Sequence, residues 1–208
     1  MTALPNSSAA PRKRMPRAQR ERQMIDVAVA LFAERGYVAA SMDEIAERVG
    51  VSKPMLYEYF HSKEGLLIAA IRRARADLLA RTENAASSAL SAEEALWQGL
   101  LAFFQFIDER HAEWSLLRHE LSLVGASAAD EVEAIRRQQT EFNASLIRAY
   151  LPGVSDLEVE AVAEFLVGAC ERMAIWAERQ EEVTPERATG LTMDILWNGL
   201  GNKQGGHS

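Results

Sequence analysis

An all-α chain is what this sequence predicts, and three observations predict it. Between residues 17 and 198 only Pro54, Pro152 and Pro185 interrupt the chain. No sustained run of alternating β-branched residues marks a strand. Helix starts recur at regular intervals: Ser41–Glu44, Ser91–Glu94 and Ser155–Glu158 each place Ser at an N-cap and Glu three residues on, the spacing of a capping box.

The elements follow in order. Thr184-Pro185 adds an N-cap with proline at the first helical position, where a missing N–H costs nothing. Stops are marked by Gly36, Gly50, Gly125 and Pro152-Gly153. The helices predicted are 18–35, 42–49, 53–59, 63–86, 92–109, 111–124, 128–150, 156–181 and 185–198. The first three are short and tightly linked, and the other six are longer. Residues 1–16 contain three prolines and few large apolar groups, which predicts a disordered basic arm. Residues 17–65 form a head, 66–200 a helical body, and 201–208 a glycine-rich flexible tail. The helix at 63–86 joins head to body.

The bulk composition excludes several classes. With 48% hydrophobic and 25% charged residues, the 208-residue chain has the balance of a soluble globular protein. No apolar run approaches the ~18 residues that span a bilayer. The basic N-terminus lacks the apolar stretch of a secretory signal. A single cysteine, Cys170, rules out an internal disulfide and fits the cytoplasm. The net charge of −7 argues against a nucleic-acid partner until its distribution is read. Residues 1–75 carry 13 Lys and Arg against 8 Asp and Glu, whereas 76–208 carry 10 against 22. A basic head on an acidic body suits a head that meets an anion. A solvated basic tail is the plainer alternative, since six of the cations lie between Arg12 and Arg22.

The stretch Gly36 to Gly65 carries the chemistry. Ile45, Ala46 and Val49 share one helix face, a tight turn follows at Gly50-Val51-Ser52, and the next helix sets Leu56 and Phe60 inward. Met24, Val27, Ala28, Leu31 and Phe32 recur at helical spacing and complete a three-helix core. Two short helices joined by a glycine turn form the helix-turn-helix pattern, whose second helix fits a major groove. Ser52, Lys53, Tyr57, Tyr59, His61 and Lys63 cluster where such docking needs polar groups. Tyrosine hydroxyls and Lys63 can contact phosphate. A generic helical hairpin with half-buried tyrosines is the competing reading of the same residues.

Residues 17–65 resemble the DNA-binding domain of the tetracycline-repressor (TetR) family of bacterial regulators. The matching pieces are Ala28–Gly36, Ser41–Ala46, Gly50-Val51-Ser52, Leu56–Phe60 and Ser62–Leu66, at the family's spacing and without a gap. The resemblance implies a homodimer on a double-stranded DNA operator, usually a repressor, with a small-molecule effector pocket in the C-terminal helices. Carried over by position, the recognition helix is Lys53 to Tyr59, and Ser41, Tyr57, Tyr59 and Lys63 fall where family members touch phosphate. Pro54 and Met55 depart from the small or polar residues common there. Pro54 removes a backbone donor, and Met55 offers only apolar contact, such as to a thymine methyl.

Other constellations are weaker. Cys170 lies in an apolar run and reads as a small core residue rather than a nucleophile. Histidines 61, 111, 119 and 207 lack metal-ligand spacing, and no glycine-rich phosphate loop suggests a cofactor. An all-α enzyme that reuses the head for packing is the rival function, but no polar constellation stands out in the body. Phe104, Trp114 and Phe142 are candidate linings of an apolar pocket, with Arg118, His119 and Glu120 as weaker polar anchors. One short recognition helix reads too few base pairs alone, so a two-fold dimer is expected, with its interface in the body. The last two helices are the candidates, through Phe165, Gly168, Trp176 and Ile195, with self-closure of each subunit's core as the alternative.

Overall fold

The computed structural model describes residues 15–123, 126–150 and 153–197. The arm up to Arg14, the tail from 201, and the predicted stops Gly125 and Pro152 lie outside the described residues. Among those described, the elements are α1 (Arg17–Arg35), α2 (Met42–Val49), α3 (Lys53–Phe60), α4 (Lys63–Ala86), α5 (Ala92–Glu109), α6 (His111–Leu123), α7 (Ala126–Tyr150), α8 (Asp156–Ala177) and α9 (Pro185–Leu196), with no strand.

Short polar side chains start most of these helices. The hydroxyl oxygens of Ser41, Ser52, Ser62, Ser91, Ser155 and Thr184 each accept from a backbone N–H of the following first turn. The reciprocal half of the capping box, however, is closed among the described residues only at Ser155, where Glu158 accepts from the Ser155 N–H. Glu44 turns instead to Arg48 and Arg35, and Glu94 accepts from the N–H of Leu90. At those two starts a stronger or nearer donor outcompetes the N-cap N–H.

Two helix ends fall more than one residue short of the sequence expectation, and α7 starts at Ala126 rather than 128. Helix α8 stops at Ala177 rather than 181, because Arg179 and Gln180 donate three residues back, to Trp176 and Ala177, and tighten the chain into a turn. The polar stretch 178–182 has no apolar residue to hold a further helical turn against a core. Helix α9 ends at Leu196, with Trp197 as its C-cap.

Helices α1, α2 and α3 pack through Met24, Leu31, Ile45 and Leu56, all fully buried. Gly50 takes the left-handed conformation (φ 77°, ψ 36°) that closes α2 and turns the chain toward α3. Gly65 has a different necessity. A Cβ there would lie 2.1 Å from the Phe60 carbonyl oxygen, so only glycine lets α4 start against the end of α3.

Helix α4 runs from this head into the body, where it packs along α5 and also meets α6 and α7. Helix α5 packs on α9, and α7 on α8. Helix α1 also packs directly on α6. One cluster of buried side chains therefore runs without a break from Met24 and Phe32 through Leu67 and Ile71 to Phe106, Trp114 and Leu117.

Candidate nucleic-acid interface and effector cavity

Helix α3 presents Ser52, Lys53, Pro54, Met55, Tyr57 and Glu58 to solvent while Leu56 and Phe60 anchor it. Pro54 sits in the first turn, where its missing N–H is one that no helical carbonyl would have used. The next donor, Met55 N–H, is satisfied by Ser52. The free face of the helix therefore offers the Lys53 ammonium, the Met55 thioether and the Tyr57 hydroxyl.

The cations around α3 already have partners inside the head. Lys53 Nζ lies 2.8 Å from Asp43 Oδ2, and this carboxylate raises the lysine's pKa. Lys63 Nζ donates to the Val38 carbonyl at 3.1 Å and sits 4.5 Å from the centre of the Tyr37 ring. Burial lowers the Lys63 pKa. Arg17 covers the Tyr59 ring at 4.7 Å, leaving Tyr59 half-buried and Tyr57 the more exposed tyrosine. The Ser41 and Ser52 oxygens are engaged as cap acceptors, and each hydroxyl hydrogen remains able to turn outward. His61, the C-cap of α3, is the one non-glycine residue with positive φ (63°) among those described. The arrangement can thus present one protruding helix, flanked by held cations, to a polyanion.

Tyr37 was missed in the sequence. Burial and the Glu64 charge raise its hydroxyl pKa, and its ring props the Lys63 ammonium. Its place beside Gly36, in the loop facing α4, was the available signal.

A cavity of about 560 Å³ opens between α4, α5, α6, α7, α8 and α9. Of the three expected lining residues, Trp114 and Phe142 line it. Phe104 does not; its neighbour Phe103 does. One residue is 100° of turn on α5, and it sends the Phe104 ring into the main core, edge-on to Phe103. Arg118 and His119 stand outside the lining: Arg118 pairs with Glu178, and His119 Nδ1 lies 2.9 Å from the Ser115 carbonyl. The Glu120 side chain is outside the described set. Cys170 lines the cavity as a buried thiol, and desolvation pushes its pKa up to about 12.

The outer face of α8 and α9 exposes several large apolar side chains among charged ones. Phe165 is 63% exposed, and Leu157, Trp176 and Ile195 are exposed with it. Gly168 lies on this side with open space around its Cα.

Comparison with known proteins gives the family. The family profile of bacterial regulatory proteins of the TetR family matches residues 24–70, and that of the tetracycline repressor-like C-terminal domain matches residues 92–199. The chain belongs to the TetR family. It is a DNA-binding transcriptional regulator of that family. TetR-family regulators bind DNA operators as homodimers and respond to small-molecule effectors. The transcriptional activator FasR of Mycolicibacterium smegmatis is 29% identical over 90% of this chain and 85% of its own. The transcriptional repressor KstR2 of Rhodococcus jostii is 25% identical over 87% of this chain and 91% of its own. The crystal structure of a TetR-like regulator from Rhodococcus sp. RHA1 is 32% identical, covers 90% of this chain and 99% of its own, and superposes with a TM-score of 0.70. No described helix is long and apolar enough to cross a membrane.

Proposed function

We propose that this chain is a homodimeric repressor that reads its operator with α3 and is released when an apolar effector enters the body cavity. The head is assigned to residues 17–65 and the effector and dimer body to 66–200. Ser41, Ser52, Tyr57, Tyr59 and Lys63 are assigned to phosphate, and Lys53, Pro54, Met55 and His61 to the groove. The role is regulatory rather than catalytic, in keeping with the relatives.

The observation that carries this reading is the solvent-exposed outer face of α3, anchored to the head by Leu56 and Phe60. A helix N-terminus presented in this way suits a major groove. The α8/α9 face supports the dimer. Its exposed Phe165, Trp176 and Ile195 form an apolar patch of the kind that partners cover. Repression fits a dimer that blocks a promoter by occupancy, and relatives of both signs make transcription the measurement that matters.

Gel retardation on DNA upstream of the chain's own gene tests binding, and transcription from that DNA in vitro tests sign. Retarded DNA with falling transcript is the expected result. Retarded DNA with rising transcript makes the protein an activator. No retardation of any upstream fragment overturns the assignment of α3.

A further inference from the structure

Carbon makes up most of the surface of the body cavity. Leu96, Leu100 and Phe103 contribute it from α5, Phe142 and Ile147 from α7, and Leu166 from α8. Among the described residues only two charged ones line the cavity, Arg75 of α4 and Glu171 of α8. They pair with each other at 3.8 Å, and Arg136 approaches the same carboxylate at 3.5 Å. Thr82, on the same wall, donates its hydroxyl to the carbonyls of Leu78 and Leu79. Gln139 and Asn143 add neutral amides. Cys170 stays a neutral thiol, because desolvation works against its charged form.

The rim is no more polar than the wall. Val162, Phe165, Ile195 and Trp197 line the cavity and are also exposed. The charged residues beside them in the chain, Glu164 and Asp194, are acids. Residues 76–208 together carry 22 Asp and Glu against 10 Lys and Arg. An anionic group at this rim meets apolar side chains and the negative field of the body.

The space has a size and one identifiable source. At ~30 Å³ for each water-sized group, about 560 Å³ takes roughly nineteen non-hydrogen atoms. Gly99 leaves part of that room. It sits inside α5, where glycine is unfavourable, on one face with Ala95 and Phe103, four residues to either side. All three line the cavity, and a Cβ added at Gly99 meets nothing within 4 Å.

We propose that the cavity takes a molecule uncharged along its whole length, a hydrocarbon-like compound of up to about nineteen non-hydrogen atoms. This rests on the effector reading above and narrows it. A carboxylate or ammonium inside would give up its hydration, and to pair with Arg75 or Glu171 it would have to part them. A charged head left at the mouth would lie among Val162, Phe165, Ile195 and Trp197. Free fatty acids, their coenzyme A thioesters and quaternary ammonium compounds are therefore the wrong class.

The test uses the full chain and probes matched in skeleton but not in charge. Phenylnaphthylamine is neutral, and anilinonaphthalene sulfonate is the same ring system with an anionic group. Methyl laurate, sodium laurate, lauroyl-coenzyme A and dodecyltrimethylammonium repeat the comparison on a chain, each below its micellar concentration. Fluorescence titration reads the dyes, and displacement of the neutral dye reads the chains. Phenylnaphthylamine and methyl laurate should each bind once per protomer, at least ~100-fold tighter than their charged counterparts. Gly99→Leu should fill the space and weaken the neutral dye by about tenfold or more, with helix content kept. Val162→Lys, at the exposed rim, should narrow the gap between methyl laurate and laurate about tenfold, and it keeps the site testable if the Gly99 variant fails to fold. The proposal is overturned if any charged probe binds as tightly as its neutral counterpart. It is equally overturned if neither neutral probe binds, or if both folded variants bind like the parent. Operator retardation separates this from the effector reading. A neutral probe that fills the cavity and leaves the operator bound removes the effector reading, with the preference for uncharged ligands upheld. Release by a charged molecule alone, bound in the cavity, removes that preference and keeps the effector reading.

Discussion

Helices α1 to α3 and helices α5 to α9 fill their interiors differently. In the head, Met24, Leu31, Ile45 and Leu56 are fully buried, and α2 and α3 each begin on a serine cap. Its cations are held by Asp43, Val38 and Tyr37. In the body, a cavity of about 560 Å³ is left open, and large apolar side chains of α8 and α9 stay exposed. The head is closed around its buried side chains with the help of α4 and α6, whereas the body leaves space for a ligand. A closed head holds one geometry for one invariant target, the DNA duplex. An open body can be refitted to different ligands without disturbing that geometry.

The sharpest way to break this contrast is to compare two glycines. Gly65→Ala should lower stability by about 2–3 kcal/mol, because its Cβ collides with backbone that cannot move aside. Operator binding should be lost with it. Gly168→Ala meets nothing within the subunit and should keep or raise the helicity of the monomer. Thermal unfolding of both variants checks the pair. Equal losses would show that head and body are packed alike.

Phe165→Glu comes next. It places a charge on a side chain already 63% exposed, so the subunit should stay folded while sedimentation reports a monomer. Operator affinity should drop by more than ~100-fold, since one recognition helix alone reads too little sequence. A folded dimer that still binds would move the interface elsewhere.

Lys63→Ala is expected to weaken binding to specific and non-specific DNA alike, by about threefold to tenfold. The salt slope should fall by about one unit, as for one phosphate contact. A loss confined to the operator, with the slope unchanged, would make Lys63 a support for Tyr37 and the recognition helix rather than a phosphate ligand.

The smallest effect concerns the one complete capping box. The Ser155 hydroxyl, then its backbone N–H, hold the Glu158 carboxyl below the usual carboxylate range. A carboxylate depressed in the folded state adds stability above its unfolded pKa. That contribution disappears as the pH falls through the lower, folded value. Ser155→Ala should cost about 1 kcal/mol near neutrality. Urea titrations from pH 7 down to pH 3 should show the difference between variant and parent shrinking, with the change confined to the acid end.

The sequence revealed most where local rules decide. Caps, glycine stops and apolar periodicity set nearly every helix boundary, and the turn at Gly50 placed α3 and its exposed residues. The reading was weaker wherever the deciding partner was remote. Phe103 and Phe104 are adjacent and equally apolar, and only the packing of α5 against α4, α6 and α9 settles which one faces the cavity. Glu44 and Glu94 match the capping box in spacing, yet arginines on α1 and α2 and the Leu90 backbone draw them elsewhere. The end of α8 fell short because 178–182 keeps helix-compatible residues but lacks anything to bury.

The unbroken cluster from Met24 to Leu117 has a bearing on how such proteins are recombined. A splice at residue 65, the seam suggested by the helix-turn-helix, would cut between Phe60 and Leu66, two side chains of one interior. A grafted head would keep its shape only if the recipient supplied an equivalent first half of α4 and an α6 that α1 accepts. Exchange of operator specificity between relatives is therefore better attempted by replacing the exposed positions of α3 than by trading the head as a block.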